Sequence, residues 1–247
     1  MDRKRQAEVI AEGLAADFLE ETTNAPIFIG SYIERILANK AKVIYQYVED
    51  STYFGAAIRH FSGEQFIALN TLHPLRIRYF TAAHELWHLE EASQLQDEDF
   101  DHERAADRFA AAIMLPKAII KEVWSKLSNL YEPTEAIIHL ADMAATPYEA
   151  VVRRLKELKL TVKSIKLTED EWQLERKRLN LPDSPLDMPQ PLTRFIAYED
   201  VVEEALSNGK IDLLSASNKL AKYIPQQTEI WQMQAMEQMR AANKHEA

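Results

Sequence analysis

Two histidines four positions apart, His84 and His88, with Glu85 beside the first, leave this chain little freedom over the structure around them. On a helix that separation is close to one turn, so both imidazoles project from one face. Such a pair can grip a single Zn²⁺, and Glu85 lies where it can take a proton from a water on the ion. The pattern therefore asks for a helix through residues 84–88, and it suggests peptide-bond hydrolysis.

Zinc of this kind needs a third protein ligand and one position left open for water. The chain has no cysteine, so histidine and carboxylate are the donors that remain. Downstream, Ala106, Phe109, Ala110, Ile113 and Met114 recur at helical spacing, and Pro116 closes the run because it cannot continue the hydrogen-bond ladder. Glu103 and Asp107 share one face of that second helix. Glu103 is expected to give the metal a carboxylate oxygen. Asp107 is expected to accept the outer N–H of a liganding imidazole, that of His84, and so fix its tautomer. Both could equally be the solvated face of an amphipathic helix, and His102 is a rival third ligand, ranked lower because it precedes the periodic run.

Together these blocks resemble a known family, the ImmA/IrrE-type zinc metallopeptidases. Arg78-Tyr79-Phe80-Thr81-Ala82-Ala83-His84-Glu85-Leu86-Trp87-His88 is similar to the family's aromatic-threonine-x-x-H-E-x-x-H block. The run from Glu103 through Ala106, Asp107, Phe109, Ala110, Ala111, Ile113, Met114, Leu115 and Pro116 is similar to its second block. Residues 140–160 match a short helical segment of such proteins, and the resemblance spans roughly residues 25–160. It implies a zincin whose substrate is a helix-turn-helix repressor, cut to release transcription in a phage, mobile-element or stress circuit. The alternative is a partner that binds or senses a repressor without cutting it; a toxin-like action on another target is weaker still. Two positions depart from the family pattern. Trp87 stands where glycine is frequent and puts the cleft's shape in question, and Asp107 replaces a frequent asparagine.

The expected fold is α+β: a small antiparallel sheet and metal-binding helices, then a mainly helical C-terminal region. Residues 6–22 and 30–40 read as amphipathic helices. Residues 43–48, 51–59 and 66–70 are rich in β-branched and aromatic side chains and read as three strands. From the resemblance, an edge strand is expected to receive the peptide by strand addition. The expected division is a metallopeptidase domain at 1–130, a helix-turn-helix-like segment at 131–160 with Thr146 and Pro147 starting its second helix, and a C-terminal region at 161–247. A strand and helix are expected to begin over 163–173, and the proline-rich stretch 181–191 reads as a linker. Helices follow at 198–206, 215–223 and 229–240. The last has a stripe of Ile230, Met233, Met236 and Met239, suited to core or to a partner-facing surface.

With 29 Lys and Arg against 39 Asp and Glu, the net charge of −10 argues against direct DNA binding, although Arg153 and Arg154 lie in the helix pair. The same charge suits a basic protein partner, as does the acidic stretch 90–107 if it is more than a solvated loop. No stretch reaches membrane-spanning length, and the N-terminus lacks the apolar core of a signal peptide. A cytoplasmic site is therefore expected, with narrow specificity or regulated activity. His60, His73, His139 and His245 read as packed or surface histidines. Tyr79, His139 and Tyr148 are all open as oxyanion stabilisers.

Overall fold

The computed structural model describes residues 3–23, 27–90, 99–160 and 165–245. Two helices, α1 (Arg3–Thr23) and α2 (Tyr32–Lys40), precede three strands, β1 (Lys42–Gln46), β2 (Gly55–Arg59) and β3 (Gln65–Asn70). Then come α3 (Leu75–Leu89), α4 (His102–Met114), α5 (Lys117–Leu130), α6 (Pro133–Ala144), α7 (Tyr148–Glu157) and α8 (Glu169–Arg178). A 3-10 turn at Pro185–Asp187 leads to α9 (Ile196–Ser207), α10 (Leu213–Leu220) and α11 (Pro225–His245). The fold is α+β, as the alternation of periods requires.

The sheet differs from expectation in one respect. Its order is β1-β3-β2, with β2 antiparallel to β3 but β1 parallel to β3, so it is mixed rather than antiparallel. The five residues from His60 to Glu64 make a hairpin between β2 and β3, whereas the segment 47–54 carries the chain past β3's place and leaves β1 on the far side. Asn70, fully buried, holds that crossing segment. Its Nδ2 donates to the carbonyls of Val48, Asp50 and Tyr53, and its Oδ1 accepts from Val48 N–H. These bonds satisfy backbone groups that a buried turn would otherwise strand, which is also why the expected strand from residue 51 begins only at Gly55. Arg194 exchanges two backbone hydrogen bonds with Tyr45 and covers the outer edge of β1. Among the described residues β2 is thus the strand with an open edge.

Helix α3 lies against the sheet and α4, and 11 of its 15 residues are buried, among them Arg76, Arg78, Thr81 and Glu85. Gly55 lets β2 approach it. A Cβ there would stand 2.8 Å from Thr81 Cγ2 and 2.9 Å from the Ala68 carbonyl oxygen. Asp101 caps α4 by accepting from the Arg104 N–H at 3.1 Å. Ala7, Ala11 and Ala15 of α1, each nearly inaccessible, let that helix pack close, and Phe18 meets Phe109 edge-on. Trp87 settles its own question. It is fully buried and packs on Phe100 and Phe109, turned away from the imidazoles' face, so it fills the core rather than the cleft. Among the described residues its Nε1–H has no hydrogen-bond partner.

One hydrophobic cluster runs from Ala7 to Trp172, so the expected breaks at 130 and 160 fall inside a continuous core. Thr146 does not cap α7; its hydroxyl donates to the Ala144 carbonyl, and Pro147 takes the cap position. Helix α8 is present; of the strand expected ahead of it, residues 163–164 lie outside the described residues and 165–168 carry no strand. The stretch 181–191 is no free tether. Leu181 and Leu186 pack on the core, Asp187 is buried, and Met188 accepts a hydrogen bond from the Leu75 N–H. Prolines pre-set an extended backbone, and here that backbone is a strap across the start of α3. A second, small cluster of Val202, Ala216 and Leu220 organises α9 to α11. There the stripe of Ile230, Met233, Met236 and Met239 faces solvent, each at least 45% exposed.

Candidate metal centre

Helix α3 points His84 and His88 outward between β2 and α4. Their Nε2 atoms lie 3.4 Å apart. Glu103, in the first turn of α4, brings one carboxylate oxygen 3.3 Å from His84 Nε2 and the other 3.5 Å from His88 Nε2. A tetrahedral ion with bonds of about 2.0–2.1 Å has ligand-to-ligand edges of about 3.3 Å, so the three donors already stand near that spacing. Two imidazole lone pairs and a carboxylate facing one another repel unless a cation lies between them, and the donor set therefore fits a divalent metal. The Glu103 side chain is 78% exposed, which leaves the ion's remaining side open to solvent. Among the described residues, His84, His88 and Glu103 form a group of donors able to hold an ion.

Asp107, one turn beyond Glu103, accepts from His84 Nδ1–H at 3.1 Å, which turns the Nε2 lone pair toward Glu103 and His88. Burial pulls the His84 pKa down, but the Asp107 hydrogen bond and the charges of Glu85, Asp107 and Glu103 outweigh it and leave it raised. His88 is lowered, by burial and then by His84 beside it. Asp107 is held low chiefly by its bond to His84, against its own desolvation. Arg153 on α7 reaches the other Asp107 oxygen at 3.4 Å.

Glu85 is 7% exposed and turned toward β2. The hairpin ladder sets His60 opposite Glu64 and Phe54 opposite Asn70, so the alternation directs the Ala57 N–H to the open edge, where it hydrogen-bonds the Glu85 carboxylate. Burial raises the Glu85 pKa; His84 opposes this, Glu103 adds to it, and the Ala57 amide opposes it. A carboxylate raised in this way is a stronger base than an exposed one, as proton abstraction from water requires.

The other sequence candidates lie elsewhere. His102 stacks near Trp87 and Phe100, on the aromatic side of α4's start. Tyr79 is buried beside Arg78, and the Tyr148 hydroxyl is bound to Asp187. His139 sits on α6 against Tyr131 and Glu135. His60 bonds Ser62 in the hairpin, His73 holds the Tyr53 carbonyl, and the side chain of His245 lies outside the described residues. Arg154, read with Arg153 as a cation pair, is buried and bound to Glu12. Of the acidic stretch 90–107, residues 91–98 lie outside the described residues; Glu90 pairs with Lys40 and Asp99 with Arg3. Sequence reasoning missed Gly55, the Ala57 amide and the Arg153–Asp107 contact, because each acts through a partner distant in the chain.

Residues 38–156 match the family model of the IrrE N-terminal-like domain, Peptidase_M78. That segment is similar to an IrrE N-terminal-like peptidase domain. The match takes in α3, α4 and all three possible ion ligands, and it ends inside α7. Helix α1, α8, the strap and α9 to α11 lie outside it, although α1 and the strap pack directly on the IrrE-like domain. No curated protein matches the chain. Among the described residues no helix is long and apolar enough to cross a membrane.

Proposed function

We propose that this chain is a zinc-dependent endopeptidase that cuts a helix-turn-helix repressor, relieving repression in a phage, mobile-element or stress circuit. The observation that carries the reading is the convergence of His84, His88 and Glu103 at ion-ligand spacing beside the buried Glu85. Zinc held by those three residues would polarise a scissile carbonyl and lower the pKa of a water next to it. Glu85 then takes that water's proton and returns it to the leaving amine, while Asp107 keeps His84 in the tautomer that ligands. The open edge of β2 offers an extended peptide backbone partners alongside Glu85. The net charge of −10 suits a basic, DNA-binding substrate in the cytoplasm better than it suits DNA itself. In this reading the C-terminal region contributes to partner recognition.

Co-expression with candidate repressors tests the proposal: Glu85→Gln should keep its metal and leave the repressor whole. Cleavage that persists in that variant removes Glu85 from the mechanism. The exposed apolar stripe of α11, outside the IrrE-like domain, favours a second reading, a regulator that holds an intact repressor. Capture of uncut repressor at one-to-one stoichiometry, undisturbed by His88→Ala, would select it.

A further inference from the structure

The IrrE-like domain has a groove that its metal-binding residues do not account for. Phe80 and Ile77 lie one and two turns before His84 on the same face of α3, so a continuous stripe of that helix leads from the groove to the ligand. Asp107 and Ala111 of α4 form the adjoining floor, Ala150 and Pro147 the wall toward α7, and Phe54, 46% exposed, the opposite lip. The groove is open to solvent on one side, and its volume is about 910 Å³.

Six of the eight charged residues that line it are matched in ion pairs, Glu149 and Glu169 being the other two. Arg104 and Arg108 pair with Glu8, Arg108 also with Glu157, and Arg153 with Asp107. Paired charges of this kind discriminate little among ligands, because each has its counter-charge at hand. The apolar floor is left to select. Its aromatic and aliphatic side chains begin one turn, about 5 Å, from His84, within reach of a residue that flanks the bond being cut.

Resting on the peptidase reading above, we infer that this groove is a side-chain pocket, and that the substrate must present a large apolar residue next to the scissile bond. Desolvating such a side chain against Phe80, Ile77 and Phe54 strengthens binding by about tenfold or more relative to glycine. Glu169 on α8, outside the matched domain, lines the same groove, so residues beyond that domain help set its depth.

The test uses two dipeptide hydroxamates, one carrying phenylalanine and one glycine at the position beside the metal-binding group. Their affinities for the zinc-loaded full chain are measured by calorimetry. The phenylalanine probe should bind at least about tenfold tighter. Ala150→Leu, which fills the groove, and Phe80→Ala, which removes its floor, should each bring the ratio to within about threefold of unity while zinc content stays at one per chain. Equal affinities in the wild type, or a ratio that neither variant moves, would overturn the pocket alone. Failure of both probes on zinc-loaded protein would overturn the peptidase reading, and the pocket with it.

Discussion

Two clusters of charged and polar side chains sit at opposite ends of α3, and they are built on contrary principles. At the start of the helix, Arg76 donates from Nε to Asp187 at 2.5 Å and from Nη2 to Asp142 at 3.0 Å. Arg176 binds both Asp142 oxygens, and the Tyr148 hydroxyl donates to Asp187. Two guanidinium groups meet two carboxylates, so the cluster is neutral and its hydrogen-bonding groups are satisfied within the protein. At the other end, His84, His88 and Glu103 present three acceptors to one point, with no cation of the protein's own between them. Burial lowers the His84 pKa, but the Asp107 hydrogen bond and then the charges of Glu85, Asp107 and Glu103 outweigh it, so the carboxylates around this ring are in excess. A closed cluster holds elements together, whereas an open one holds a place for something else.

Removing Arg76 attacks the closed cluster directly. Arg76→Ala leaves the buried Asp187 carboxylate only Arg176, at 3.5 Å, as a cation and should destabilise the chain by about 3–5 kcal/mol in urea unfolding. A loss under 1 kcal/mol would mean that the strap is held by Leu181 and Leu186 alone. At the open cluster the currency is metal affinity rather than folding. Asp107→Ala should weaken zinc binding about 10–100-fold, read by competition with a chelator, because His84 loses the group that sets its tautomer. Unfolding of the metal-free protein should shift by less than about 1 kcal/mol, since Asp107 is half exposed. The smallest effect belongs to Glu169, pushed up to about 7 by burial, which hydrogen bonds from the backbone amides of Glu149 and Tyr148 only partly oppose. A carboxyl whose folded pKa lies above its ordinary 4.5 binds its proton more tightly in the native state, so its contribution is full below pH 4.5 and fades as pH rises toward 7. Glu169→Gln should therefore gain thermal stability over the wild type at pH 8 but not at pH 4.5, and an equal difference at both would refute the shift.

The two clusters also differ in how much of them could be read in advance. Both histidines lie four residues apart on one helix, and Glu103 with Asp107 repeats that spacing on the next, so each half of the open site is a local pattern. The closed cluster draws on α3, α6, α7, α8 and the strap, with Arg76 and Asp187 111 positions apart, and no periodicity announces such a meeting. For the same reason the proline-rich stretch reads as a linker: its composition reports an extended backbone but not the surface on which it lies. The mixed sheet was hidden in the same way, because strand content is local while pairing direction depends on where residues 47–54 carry the chain. The methionine stripe of α11 shows the ambiguity from the other side. Its spacing marks one helix face, and only packing reveals that this face is turned to solvent.

By itself the sequence determined the helices that carry the ligands, the spacing of the donors on each, and the exclusion of thiolate chemistry, since all three follow from residue type and helical period. Tertiary structure decided that Glu103 meets His84 and His88 across two helices, that Gly55 lets the open edge of β2 reach Glu85, and that the strap closes over Arg76. Those outcomes depend on side chains distant in the chain meeting at distances of a few ångströms. Close packing and the pairing of buried charge select such meetings, and neither leaves a periodic trace in the chain.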